Sequence, residues 1–338
     1  MMNIETKPVG QRAIEAEMAR QAADALATYE QVGPVGDDLA ASIRRTGRLV
    51  LLGMGASHSA GRAVEPIYRE LGIDAVALPV SEQLTQGLPL DGKTVILASQ
   101  SGESAEILRW LQTARAGDVF GMTLNGSSTL GQAVPCLVAA GGAEVAFAAT
   151  RSLTLTIALH LAALVRLGAD PAPALAVLRA WPEPDVSAAV NSLSGVRTVV
   201  TSARRLQGVA EACALGLCEL SQSPAFSLEG GQLRHGPMEI MGPELGVVLF
   251  ASDEPSAELV MGMARSAAEA EAKVVLIDAS GAREAIPGVT TVTLPRAQGA
   301  AAVLVTLPAM QELMVGYAAD RVANVGTPRR SSKITRTE

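Results

Sequence analysis

Short hydrophobic runs separated by longer segments of mixed character give the first outline of the chain. Over residues 11–30, Ile14, Met18, Ala22 and Leu26 recur every fourth residue, an apolar stripe that predicts a helix. Gly33-Pro34 ends it, and a shorter helix is predicted around 37–44. Arg48-Leu49-Val50-Leu51-Leu52-Gly53 is almost continuously apolar, as a strand covered on both faces is, and 60–71 reads as the helix behind it. The alternation continues with strands at 75–79, 94–99 and 119–124, a helix at 104–114, and a long apolar helix at 150–167. Strands spaced by helices of this length imply βαβ units and a parallel sheet.

A Pro-rich stretch at 171–184 interrupts the pattern, and a second series follows: strand 196–201, helix 206–220, strand 246–251, helix 257–270. The two series are alike. Val95-Ile96-Leu97-Ala98-Ser99-Gln100-Ser101-Gly102-Glu103-Ser104 resembles Val247-Val248-Leu249-Phe250-Ala251-Ser252-Asp253-Glu254-Pro255-Ser256. The predicted fold class is therefore α/β, with two similar doubly wound parallel-sheet domains in tandem. Their expected limits are 47–170 and 190–325, after an N-terminal helical segment at 1–46 and before a tail at 326–338.

Composition narrows the class. The chain has 338 residues, 49% hydrophobic and 18% charged, which suits a globular protein of about two domains at roughly 150 residues each. A net charge of -7 argues against nucleic acid or an anionic membrane as partner and favours a small molecule. Cys136, Cys213 and Cys218 show no metal-ligand spacing and read as buried thiols in a reducing compartment, so neither metal nor cofactor is expected. Met1-Met2-Asn3-Ile4-Glu5 has no signal-peptide pattern and no apolar run reaches the length of a membrane span, which predicts a cytoplasmic protein.

Candidate chemistry concentrates at a few turns. Ser99-Gln100-Ser101-Gly102-Glu103-Ser104 follows a buried strand and opens a helix, where free N–H groups and the helix dipole favour an anion. It reads either as a phosphate loop or as an ordinary capped turn. The matching turn of the second series carries Asp253-Glu254-Pro255, whose carboxylates would repel a phosphate. Gly53-Met54-Gly55-Ala56-Ser57-His58-Ser59 ends the first strand at the same sheet edge. It fails as a dinucleotide fingerprint because His58 stands at the third glycine position, which leaves Ser57 as a second phosphate contact or the loop as a plain tight turn.

Of the three histidines, His160 sits in an apolar helix and reads as a core residue, whereas His235 lies in the Gly-flanked loop Glu229-Gly230-Gly231-Gln232-Leu233-Arg234-His235-Gly236-Pro237 and is a candidate acid/base. Glu219 is its candidate carboxylate partner, or a solvated helix-end residue. Lysine is scarce: Lys7, Lys93, Lys273 and Lys333 stand against a large majority of arginine. In the tail, Lys333 is therefore either a nucleophilic amine, activated by desolvation or by a neighbouring cation such as Arg329 or Arg330, or part of a loose basic end.

Together these motifs resemble the sugar-isomerase (SIS) family, most closely the isomerase part of glucosamine-6-phosphate synthases and their stand-alone relatives, over almost the whole chain. Gly55-Ala56-Ser57 resembles the first phosphate loop, Ser99–Ser104 the SQSGE(S/T) loop, Glu219 and His235 the catalytic acid and the LKHGP-loop histidine, and Pro328-Arg329-Arg330-Ser331-Ser332-Lys333-Ile334-Thr335 the PRNLAKSVTVE tail. The resemblance implies flavodoxin-like domains and a phosphosugar substrate held by Ser57, Ser99, Gln100, Ser101, Ser104 and Ser332. It implies Glu219 moving a proton between C1 and C2, His235 assisting ring opening, Lys333 forming a Schiff base, and a homodimer in which His235 completes the neighbouring site. Two departures stand out. The synthase's glutaminase domain has no counterpart in this sequence, and Gly216 replaces the family's lysine three residues before the acid. The implied activity is glucosamine 6-phosphate deamination to fructose 6-phosphate, with a fructosamine-phosphate deglycase, another phosphosugar isomerase, or a non-catalytic sugar-phosphate sensor as alternatives.

Overall fold

The computed structural model describes residues 7–113, 117–282 and 284–336. The predicted helix end at Ala114 and the N-terminal Met1–Glu5 segment lie outside them. The chain divides into two compact units, one of residues 15–179 with the tail from Arg329, the other of 180–328 with the residues up to Ile14. Helix α1 (Val9–Gln31) contributes to both.

The first unit continues with α2 (Pro34–Thr46), β1 (Arg48–Gly53), α3 (Ala56–Glu70), β2 (Asp74–Pro79), a 3-10 turn at Val80–Leu84, β3 (Thr94–Ala98), α4 (Ala105–Thr113), β4 (Asp118–Thr123), α5 (Thr129–Ala133), β5 (Cys136–Val138), α6 (Arg151–Arg166) and α7 (Ala172–Arg179). Its five strands are parallel in the order β2-β1-β3-β4-β5. Val50, Leu52, Val95 and Leu97 pack on Ile107 and Trp110 of α4 and Leu130 of α5. Leu51 points to the other face, where Gly61 of α3 lies over it and Ala77.

The second unit holds α8 (Ser187–Ser192), β6 (Thr198–Ala203), α9 (Gln207–Ser221), β7 (Ala225–Ser227), α10 (Gly230–Arg234), β8 (Leu245–Ser252), α11 (Ala257–Glu269), β9 (Lys273–Ala279), β10 (Val289–Thr293) and α12 (Gly299–Ala319). Its parallel order is β10-β9-β8-β6-β7. Counted within the unit, this is the same 2-1-3-4-5 arrangement as the first sheet, the flavodoxin-like winding. Val247, Leu249 and Ala251 of β8 pack on Val260, Met263 and Ala264 of α11, while α9 and α12 pack on each other beside β6 and β9.

Strands β5, β7, β9 and β10 are present beyond those the pattern predicts, Cys218 is exposed and Cys136 half-buried where buried thiols are expected, and three further sequence expectations change. In α1, Ile14 and Met18 are buried but Ala22 and Leu26 only half so, and the buried side runs on through Gln21, Ala25 and Thr28. An every-fourth-residue stripe drifts around a helix of 3.6 residues per turn. The polar members are buried because they are bonded: Gln21 accepts the Thr154 hydroxyl at 2.7 Å, Thr28 accepts the Ala140 N–H at 2.9 Å, and Glu17 meets Arg151 at 2.5 Å. Secondly, the Pro-rich 171–184 stretch contains α7, because Pro173 falls in the first helical turn, where a missing N–H costs nothing. Thirdly, α12 is long and apolar enough to cross a membrane by length and composition, contrary to the expectation of no such run. Its apolar residues are spent inside the unit, where 78% of that stretch is buried.

Candidate active site

Open α/β sheets bind ligands beyond the carboxyl ends of their strands, at the point where the winding reverses. In the first unit that point lies between β1 and β3, whose last residues Gly53 and Ala98 are register partners. Both serine-bearing loops start there. A Cβ on Gly53 would lie 2.7 Å from the Ser57 carbonyl carbon and 2.8 Å from the His58 nitrogen, so only glycine lets the chain fold back and place Ser57 in the first turn of α3. His58, half-buried, is turned toward β2. Burial and then the Arg62 charge outweigh the Ala77 carbonyl and Glu82 and hold its imidazole below the usual range.

The second loop is fixed by its own hydroxyls. Ser99 Oγ accepts the Gly102 N–H and Ser101 Oγ the Glu103 N–H, each at 3.1 Å, and the Ser99 and Ser104 hydroxyls lie 3.3 Å apart. The Gln100 carbonyl accepts the Leu124 N–H at 3.1 Å, tying the loop to the end of β4. A serine oxygen that accepts an N–H keeps its own proton to donate, so this geometry leaves donors for an anion. Gly102 adopts φ 67°, and a Cβ there would sit 2.0 Å from Ser128 Oγ. The acid within the motif does not oppose an anion: Glu103 is bonded to α5, accepting the Thr129 N–H at 2.6 Å and its hydroxyl at 3.0 Å.

The tail joins the same unit. The Thr335 carbonyl accepts the N–H of Ala105, the first residue of α4, at 2.9 Å, and Ser332 Oγ bonds the Ile334 carbonyl at 2.8 Å. Lys333 Nζ donates to Glu144 at 2.6 Å and to the Phe147 carbonyl at 3.4 Å. Where the sequence suggested a neighbouring arginine, the partner is a carboxylate, and Arg329 and Arg330 are exposed. Glu144 is fully buried at the N-terminus of α6, with one oxygen accepting the Thr150 and Ser152 N–H groups and the other the Ser152 hydroxyl at 2.6 Å. Behind it, Val145 donates its N–H to Glu17, and the fully buried Arg151 bonds Glu17, Asp24 and the Gly142 carbonyl. Sequence reasoning missed Glu144. The available signal was an acid placed shortly before the helix-opening Thr150-Arg151-Ser152.

Glu219 and His235 belong to the second unit. Glu219 is half-buried in the last turn of α9, and His235 follows α10 in an exposed loop. The carboxylate that shapes this loop is Glu229, which accepts the Gly231 and Gln232 N–H groups and pairs with Arg204 at 2.8 Å. Gly216 faces Met314 of α12, whose Cε would lie 2.3 Å from a Cβ, so helix packing occupies the space beside the position where the family has lysine. At the turn after β8, Asp253 is bound by Arg296 and Gln298, which hold its carboxyl below the usual range. Among the described residues no group of three or more His, Cys, Asp or Glu is placed to hold a metal ion.

The SIS domain family model matches residues 42–166. The isomerizing glutamine–fructose-6-phosphate aminotransferase of Bordetella parapertussis is 26% identical over 94% of this chain and 56% of its own length. That of Bacillus subtilis is 27% identical over 88% and 53%. The chain thus spans about half the length of these curated relatives. Among solved structures, the C-terminal domain of glucosamine-fructose-6-phosphate aminotransferase from Francisella tularensis superposes with a TM-score of 0.80 at 18% identity, covering 94% of this chain and 98% of that one. Tagatose-6-phosphate ketose/aldose isomerase from Escherichia coli gives 0.76 at 18%, over 96% and 100%. Glucosamine-6-phosphate deaminase from Thermotoga maritima gives 0.75 at 20%, over 95% and 99%. These likenesses establish the shared fold. The matched segment begins within α2 and ends with α6, spanning the first sheet and both serine loops, so the SIS domain likeness lies in the first unit.

Proposed function

We propose that this protein is a phosphosugar aldose/ketose isomerase-deaminase that converts glucosamine 6-phosphate and water to fructose 6-phosphate and ammonia. The observation that carries the reading is the meeting of two motifs in one unit: the tail bearing Lys333 bonds, through Thr335, the residue that follows the Ser99–Ser104 loop. Ser57, Ser99, Gln100, Ser101 and Ser104, with Ser332 from the tail, hold the phosphosugar. His235 assists ring opening. Glu219 takes the C2 proton of the open aldose and returns it to C1, which leaves an imine at C2. The Lys333 amine displaces ammonia from that imine, and water hydrolyses the resulting Schiff base to release the ketose and the free lysine. A homodimer in which His235 serves the neighbouring site belongs to the same reading.

The end-to-end match to a deaminase of the same fold supports this reading. An equally good match to a ketose/aldose isomerase supports a second reading, simple interconversion of a 6-phosphorylated ketose and aldose, and deglycation of a fructosamine phosphate stands beside it as a related reaction. A sugar-phosphate sensor is the third. The experiment is an assay of ammonia release and ketose formation over a panel of 6-phosphorylated amino sugars, fructosamines and plain hexoses. Ammonia from glucosamine 6-phosphate supports the deaminase, isomerisation without ammonia the second reading, and binding without turnover the sensor.

A further inference from the structure

We infer that Glu144 is the positioning residue of Lys333: it sets where the amine of the tail sits during reaction, without itself touching substrate. The inference rests on the proposed role of Lys333 and deepens it.

The geometry is specific. Apart from Lys333 and Ile334, tail residues 329–336 are exposed, and Lys333 is held at 2.6 Å by a carboxylate with no exposed side-chain surface. A carboxylate is costly to bury unless its oxygens are bonded. Glu144 meets that condition before the tail is counted, because Thr150 and Ser152 supply two N–H groups and two hydroxyls. The socket is therefore complete without Lys333, and the lysine adds a mobile donor to it. Such an anion gives a long, flexible side chain a fixed end point at low entropic cost to the socket itself.

The socket is also rigidly backed. The N–H of Val145, the residue after Glu144, is fixed by Glu17, and Arg151, between the two residues that bond Glu144, is fixed by Glu17 and Asp24. A group whose only task was to neutralise a tail charge would not need this support. Anchored near the backbone contact between Thr335 and Ala105, the amine is registered against the serine loop to within the reach of two tail residues.

The test combines Glu144→Gln, Glu144→Asp, Lys333→Ala and the double variant Glu144→Gln/Lys333→Ala. Readouts are kcat and KM for the preferred phosphosugar, borohydride trapping of a keto sugar phosphate on the C-terminal peptide, and tryptic cleavage after Arg329 and Arg330. Glu144→Gln should lower kcat by about 10- to 1000-fold with KM changed less than about threefold, lower trapping in parallel, and speed tail cleavage. Glu144→Asp, which keeps the charge on a shorter arm, should recover part of kcat and decides the case if the Gln variant does not fold. The second substitution should add little to Lys333→Ala, since both remove one function. Unchanged kcat, trapping and cleavage in the Glu144 variants, with Lys333→Ala inactive, would overturn the positioning role while sparing the proposed function. An active Lys333→Ala would instead remove the catalytic role of the lysine, and this inference with it.

Discussion

Glu103 grips Thr129 with both carboxylate oxygens, one on its N–H at 2.6 Å and one on its hydroxyl at 3.0 Å. The grip fastens the serine loop to the N-terminus of α5, and the Gly102 carbonyl adds a bond from the Leu130 N–H. The acid in the middle of the proposed phosphate loop thus serves as a backbone clamp. Glu103→Ala should cost about 1 to 2 kcal/mol of stability, the scale of a lost helix cap, and should raise KM for the phosphosugar several-fold with kcat less affected. Thermal unfolding and steady-state kinetics on the same preparation check both. A stability loss with unchanged KM would separate the clamp from the site.

Ser101→Ala and Ser104→Ala should each weaken phosphosugar binding by about 1.5 to 3 kcal/mol, the worth of a charge-assisted hydrogen bond. Titration calorimetry with the sugar phosphate measures this directly. If the folded variants bind as tightly as the parent, the anion is held elsewhere.

Glu219→Gln should lower kcat by about two to four orders of magnitude with little change in KM, because the amide keeps the shape and loses the base. Loss of solvent deuterium incorporation at C1 or C2 should accompany the fall. Incorporation at the parent rate would assign the proton transfer to another group.

Stability should decline on mild acidification, and His160 should be the cause. It is buried against the Tyr68 hydroxyl at 3.1 Å, and burial pushes its imidazole down to about 3. The unfolded chain takes up a proton near the ordinary value of 6.5 while the folded chain refuses it, so the His160 contribution is complete above 6.5 and drains away as pH falls toward about 3. Glu17 acts later. Burial opposes its ionisation, but the Val145 N–H and Arg151 outweigh it and hold the carboxyl below 4.5, so its contribution is full above that value and lost through its lower folded value. His160→Gln, which keeps an acceptor for Tyr68, should therefore flatten the dependence between about pH 6.5 and 5 and leave the steeper acid limb. Urea midpoints across that range decide it: parallel curves for parent and variant would place the loss in another group.

Four strands of the first sheet and two of the second, β6 and β8, could be read from the sequence because a parallel strand buried on two faces is almost wholly apolar, as in Leu49–Leu52 and Val247–Phe250, whereas β5 and β7 are only three residues long and β9 and β10 went unread. The serine loop could be read because its residues are local in sequence. Glu144 could not, since its meaning depends on Lys333, 189 positions away. The side of α1 that is buried was obscured for a related reason: Glu17, Gln21 and Thr28 look solvent-facing until Arg151, Thr154 and Ala140 arrive to bond them. Pattern reading assigns polar residues outward, and only a distant partner reverses that.

The repeated winding gives one position two meanings. After β3, the turn carries the serine hydroxyls proposed to hold the phosphosugar. After β8, the corresponding turn is closed by its own side chains, with Asp253 bound to Arg296 and Gln298, and the Ser252 hydroxyl bonded to Glu254. Variation at the two turns should therefore surface differently in a population of natural or selected variants. Changes at the first would appear as altered substrate range in an otherwise sound protein, and changes at the second as altered yield and lifetime with chemistry intact. A duplicated scaffold of this kind lets one half be tuned for fit while the other is tuned for persistence.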